Sequence, residues 1–119
     1  MNTITKHIVS AGAIKGQKIG NLKGEKLGHI EDVMLDLDHS RISYVVLSFG
    51  GFLGIGDKLF AVPLDALTPA AKNNRFSMNV TKEQLKDAPG FDKNNWPTTA
   101  DNEFLSGVYR HYSAKPYWQ

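Results

Sequence analysis

The sequence predicts a mainly β protein: a small antiparallel barrel or sandwich, followed by two helices. Short runs rich in β-branched and aromatic residues recur between turn-forming clusters over residues 17–80. No helical pattern separates these runs, as a parallel βαβ sheet would require. Helix-capping residues and apolar spacing of period 3.6 appear only after Val80. At 119 residues the chain has the length of one domain with one small core.

Residues 1–15 show no clear periodicity and are expected to be a loose arm. "KIGNLKGEKLGHIEDVMLDLD" then reads as two strands joined by a turn at "LKGEK". The second strand alternates at its end, with Val33, Leu35 and Leu37 on one side and Met34, Asp36 and Asp38 on the other. The spacing Leu27, Ile30, Val33 breaks the two-residue period, so a bulge is expected near Glu31 and Asp32. "DHSR" is a turn, and "ISYVVLSF" is the most β-rich run in the chain. "KLFAVPL" reads as a further strand that lies at an edge or bends at Pro63, because proline cannot donate to a ladder. "PAAKNNR" turns the chain and "FSMNV" is a short strand.

The first helix, "TKEQLKDAPG", opens with a capping box: Thr81 accepts from the Gln84 amide while the Gln84 side chain reaches back. Pro89 and Gly90 end it after about two turns. The second, "ADNEFLSGVYRHY", carries Phe104, Leu105, Val108, Tyr109 and Tyr112 as one apolar stripe. Asp101 or Thr99 caps it, and Asp101 and Glu103 suit its positive end. Seven of the twelve aromatic residues fall at or after Phe91, so this segment is expected to dock on the barrel.

Composition excludes some functions. The chain has no cysteine, which removes disulfides, thiolate catalysis and cysteine-based metal sites. A net charge of +2 is too small to imply nucleic-acid binding by itself. The charge is uneven, however. Lys6, Lys15, Lys18, Lys23 and Lys26 face one acid, Glu25, for +4, whereas the remainder carries −2. Such a lead-in either keeps the chain solvated or meets an acidic partner, RNA or anionic lipid. The N-terminus has no apolar signal core, and the longest uncharged run, residues 42–56, is shorter than the roughly 20 residues a membrane helix needs. A cytoplasmic setting without a membrane span is expected.

The stretch "FGGFLGIGDK" has four glycines, Gly50, Gly51, Gly54 and Gly56, followed by Asp57. A P-loop requires lysine and a hydroxyl residue after its last glycine, but here Asp57 and Lys58 follow. A dinucleotide fingerprint requires a third glycine where Leu59 stands, with a helix beyond it. The glycines with Asp57 therefore read as a structural turn, and no cofactor is expected.

Other motifs fail on spacing. "DLDHSRISYVVL" starts like a calcium loop, yet Arg41 occupies the glycine position and Leu47 the bidentate glutamate position. His7, His29, His39 and His111 form no zinc-binding pair. No serine lies in a nucleophile elbow, and Glu31 and Asp32 are adjacent, so in a strand they point to opposite faces. No enzyme activity is expected.

The segments "GEKLGHIEDVMLDLD", "ISYVVLSFGGFLGIGDKLFAVPLDAL" and "FSMNVTKEQLKDAPGF" resemble the PRC-barrel family. That family takes its name from the cytoplasmic domain of the photosynthetic reaction centre H subunit. The same barrel ends a bacterial ribosome maturation factor. The most specific matches are G-x-x-L-G-x-I-x-D at Gly24 to Asp32, then L-G-I-G-D-K and V-P-L-D-A-L; Leu64 stands where the family commonly has tryptophan. The resemblance implies a small, highly bent antiparallel β-barrel used for protein contacts, with a short helix and a C-terminal helix packed against it. It divides the chain into an arm (1–15), a barrel (16–92) and a C-terminal helical extension (93–119). The implied function is a non-catalytic protein-interaction or scaffold module. The alternative is an accessory factor in RNA metabolism or ribosome assembly, with nucleic acid the less expected partner.

Alternation along residues 42–49 assigns Ser43, Val45, Leu47 and Phe49 to the barrel interior. Ile42, Tyr44, Val46 and Ser48 then face outward, and an apolar outer face needs a cover. Two covers are available: Phe104, Val108 and Tyr112 of the last helix, or a second copy in a two-fold homodimer. The candidate interaction surface is therefore Ile42, Tyr44, Val46, Phe104, Val108 and Tyr112.

Overall fold

The computed structural model of the chain describes residues 8–49, 58–69, 76–81, 84, 85, 87–97 and 102–119. The glycine turn (Gly50, Gly51, Gly54, Gly56, Asp57), the "PAAKNNR" turn from residue 70 on, and the caps Thr99 and Asp101 lie outside the described residues. The elements are α1 (Ala11–Ile14), β1 (Lys18–Asn21), β2 (Lys26–Asp36), β3 (Arg41–Ser48), β4 (Lys58–Val62), a 3-10 turn (Leu64–Ala66), β5 (Thr68–Pro69), β6 (Phe76–Met78), β7 (Gly90–Asp92) and α2 (Asn102–His111). Within what was expected to be a loose arm, the single turn α1 buries Ile14 in the core.

The strands form one sheet in the order β5-β6-β1-β2-β3-β4-β7. It is strongly bent but does not close among the described residues, and of the ladders described one, β1 with β6, is parallel while the others are antiparallel. Bulges produce the bending. Between β2 and β3 the register steps from Ile30↔Leu47 to Asp32↔Val46, which leaves Glu31 as the extra residue where a bulge was expected. A second step, from Met34↔Tyr44 to Leu35↔Ile42, makes Ser43 an extra residue on β3.

The bend also depends on close backbone approach at Gly28, the second glycine of the G-x-x-L-G motif. A Cβ there would overlap the Ser48 carbonyl and lie 2.9 Å from the Phe49 Cα. At Gly24 the reason is different: its φ of +81° closes the β1–β2 turn. Pro63 ends β4 and starts the 3-10 turn, so the chain bends there. Thr81 and Gln84 make the capping box in both directions, at 2.8 and 3.2 Å.

Two apolar clusters lie on opposite sides of the sheet. Ile19, Leu27, Ile30, Val45, Leu47, Phe60, Val62 and Met78 fill the inside of the bend. Tyr44, Val46, Leu59 and Ala61 form the outer cluster with Phe91, Val108 and Tyr109. β3 and β4 are therefore buried on both faces, which explains why "YVVL" and "LFAV" read as unbroken apolar runs. Among the described residues, no helix is long and apolar enough to cross a membrane.

Candidate interaction surface

The outer face of β3 and β4 is occupied by the chain's own C-terminal segment. Phe104 meets Tyr44 and Phe91 edge-on, each at 6.1 Å between ring centres, and Val108 is fully buried against the same cluster. Trp96 packs 5.0 Å from Phe91. Beyond α2 the tail turns back, and Tyr117 and Trp118 meet Tyr109 edge-on at 5.8 and 5.0 Å between ring centres. Edge-to-face contacts of this kind add to the area they bury.

Hydrogen bonds fix the register of the cover. As a bulge residue, Ser43 is not part of the β2–β3 ladder, and its carbonyl accepts a 2.7 Å bond from the buried Tyr109 hydroxyl. The Tyr117 hydroxyl donates to Asp36 Oδ2 at 2.6 Å and lies 3.0 Å from Ser43 Oγ. With its one proton on Asp36, that hydroxyl is an acceptor for Ser43. His39 Nδ1 stands 2.9 Å from the same carboxylate, and the Arg41 guanidinium lies 4.6 Å above the Tyr117 ring. The bond from Tyr117 holds the Asp36 carboxyl below the usual carboxylate range. Burial pushes Tyr109 up to about 12, and burial followed by the Asp36 contact raises Tyr117.

Of the six residues assigned to the surface, Tyr44, Val46, Phe104 and Val108 come together in the outer cluster. Ile42 and Tyr112 do not: both pack against the inner cluster. For Ile42 the cause is the bulge. An extra residue at Ser43 shifts the alternation by one, so Ile42 turns inward and the Ser43 hydroxyl turns to the tail. Tyr112 lies at the end of α2, where the helix reaches the capping-box turn; neighbouring His111 Nε2 is 3.2 Å from the Gln84 carbonyl. Tyr109 takes the place expected for Tyr112. The aromatic density of "PYWQ" was the signal for Tyr117 and Trp118, but no spacing rule connects them to Asp36.

Of the two covers expected for this face, the chain's own C-terminal segment is the one seated on it. Apolar side chains left outside are elsewhere: Leu35 is 59% exposed and Leu37 is 83% exposed at the free end of the β2–β3 hairpin. Leu22 is 70% exposed in the β1–β2 turn. Every described aromatic ring is at least partly buried. Three histidines have local partners: Glu31 for His29, Asp36 for His39 and the Gln84 carbonyl for His111. Among the described residues, no three His, Asp or Glu side chains group as metal ligands.

No curated protein matches the chain. The family model described as PRC-barrel domain matches residues 7–85, well over half of the sequence. The matched span runs from the lead-in to α1, through the bulged β2–β3 hairpin, to Leu85 at the capping-box turn. The fold it describes is the small bent sheet built by those residues, and the chain belongs to the PRC-barrel domain family.

Proposed function

We propose that the chain is a non-catalytic protein-interaction module of the cytoplasm, which meets its partner at the free end of the β2–β3 hairpin. One observation carries this reading: Leu35 and Leu37 stand exposed on a hairpin end that is held rigid. The Tyr117–Asp36 bond and the Arg41–Tyr117 contact tie that end to the C-terminal tail. A braced apolar surface loses little conformational freedom on binding, which favours recognition. Self-association belongs to the same reading, through aliphatic side chains rather than aromatic rings. The exposed lysines near the β1–β2 turn have no exposed aromatic neighbour among the described residues, and an RNA-binding groove needs bases to stack on such rings.

The test is site-specific photo-crosslinking in the native cell. A photo-reactive residue at position 37 is expected to capture protein, whereas one at position 110, exposed on α2, is not. Equal capture at both positions, or capture of RNA at position 37, overturns the reading.

A further inference from the structure

The two apolar clusters divide along the chain. Every buried member of the inner cluster lies between Ile14 and Leu85, inside the span of the family match, and α2 supplies none. The outer cluster is where α2 docks, through Val108 and Tyr109. Two local costs fall on this helix. Gly107 stands in its middle. The φ of Gly107 is not positive, and a Cβ there would meet no described atom within 4 Å outside its own helix, so neither turn geometry nor close packing requires glycine. Glycine inside a helix is weaker than alanine. Tyr112 carries the helical bonding one residue further, its amide donating to the Val108 carbonyl at 3.4 Å. Its hydroxyl is the one buried side-chain polar atom without a partner among the described residues. A desolvated hydroxyl without a partner costs free energy, and burial pushes this one above the ordinary phenol range.

We infer that α2 and the tail behind it form a lid that opens as a unit while the barrel stays folded. Opening leaves the buried members of the inner cluster in place, returns the Tyr112 hydroxyl to water and frees Gly107 from helical form. It breaks the packing around Val108 and the bonds from Tyr109 to the Ser43 carbonyl and from Tyr117 to Asp36. Towards the capping-box turn, the described polar tie is the 3.2 Å contact of His111 Nε2 with the Gln84 carbonyl. An element with its own cluster and its own costs is the kind of cooperative unit that opens before the whole fold does. The open state exposes Tyr44, Val46, Leu59 and Ala61, so the lid decides when that apolar strip meets water. The lid does not depend on what the hairpin end binds.

Native-state hydrogen exchange of the full chain, read residue by residue by NMR, tests the lid. The amides of Tyr109, Arg110 and His111 are expected to exchange through an opening roughly ten-fold or more populated than the one that exposes Val45, Val46 and Leu47. Their exchange should also respond less to low urea, because less surface is uncovered. Gly107→Ala should slow exchange in α2 by about two- to five-fold, and Tyr112→Phe by about five-fold or more. Ile30→Val removes one carbon from a fully buried side chain of the inner cluster. It should speed exchange at Val45, Val46 and Leu47 by about two- to ten-fold and leave α2 unchanged, since the barrel is intact whether the lid is open or shut. Equal protection and equal urea response in α2 and β3 overturn the inference. So does an Ile30→Val variant that speeds both alike, or a pair of α2 variants that slow nothing.

Discussion

Tyr109→Phe removes one oxygen and tests whether the β3 bulge and the C-terminal cover form a single structural unit. The Tyr109 hydroxyl is the buried donor to the Ser43 carbonyl, at 2.7 Å, and the bulge residue is absent from the β2–β3 ladder. A net intramolecular hydrogen bond contributes about 0.5–1.5 kcal/mol, and an orphaned buried acceptor costs about 1–3 kcal/mol. Ser43 is 8% exposed, so water reaches its carbonyl poorly. The expected loss is therefore about 1–2 kcal/mol. The ring contacts with Tyr117 and Trp118 are retained in the phenylalanine variant, which separates the hydrogen bond from packing. Urea unfolding followed by tryptophan fluorescence suits the question, since the two tryptophans, Trp96 and Trp118, both pack into the outer cluster. The midpoint should fall with the slope unchanged. Alkaline titration gives a second reading. Burial raises Tyr109 from 10.0 to about 12, so the fold favours the neutral phenol. Its contribution is fully present below pH 10 and is lost as pH rises towards 12. The variant should lose less stability across that window. An unchanged urea midpoint, or an identical alkaline profile, refutes the linkage between bulge and cover.

Gly28→Ala should destabilise the chain by about 2 kcal/mol or more, because the new methyl overlaps the Ser48 carbonyl, which is backbone and cannot rotate away; chemical denaturation that shows no loss refutes the close approach. Deleting residues 96–119 should uncover Tyr44, Val46, Leu59 and Ala61 and raise the binding of a hydrophobic dye, with aggregation at higher concentration; a truncated chain that stays soluble and dye-silent rejects the cover. Asp36 has a lowered carboxyl pKa in the fold, so it contributes stability above its unfolded value of 3.8 that is lost as pH falls below it. Thermal melts in acid should therefore fall more steeply for wild type than for Asp36→Asn, and parallel curves would show that the Tyr117 contact contributes nothing.

Much of this architecture was legible in the sequence because it depends on local chemistry. The Glu31 bulge showed as a broken two-residue period, the capping box as Thr81 and Gln84 three apart, and the bend after β4 as Pro63. The apolar stripe of α2 predicted a docked helix, since a helix leaves its apolar stripe exposed only at a cost. The short strands β5 and β7 escaped notice because two or three residues carry no periodicity, and their pairing depends on β6 and β4 rather than on themselves. The turn α1 was missed for the same reason: one helical turn has no repeat to detect, and what holds it is tertiary, the burial of Ile14 and the bonds that pair Gly16 and Gln17 with Ile30.

The placement of side chains on the candidate surface was decided by tertiary structure. Strict alternation put Ile42 outside and Ser43 inside, and one extra residue in the ladder reversed both. In a strand that is apolar on both faces, one extra residue leaves no break in the hydrophobic pattern. Tyr117 sits 81 residues from the Asp36 that it bonds, and no local rule spans that separation. The sequence determined by itself that both faces of β3 would be covered, because apolar residues on both sides of a strand must be removed from water. Which side chains provide the cover, and that it leaves Leu35 and Leu37 outside, was decided only when the sheet bent and the tail closed over it.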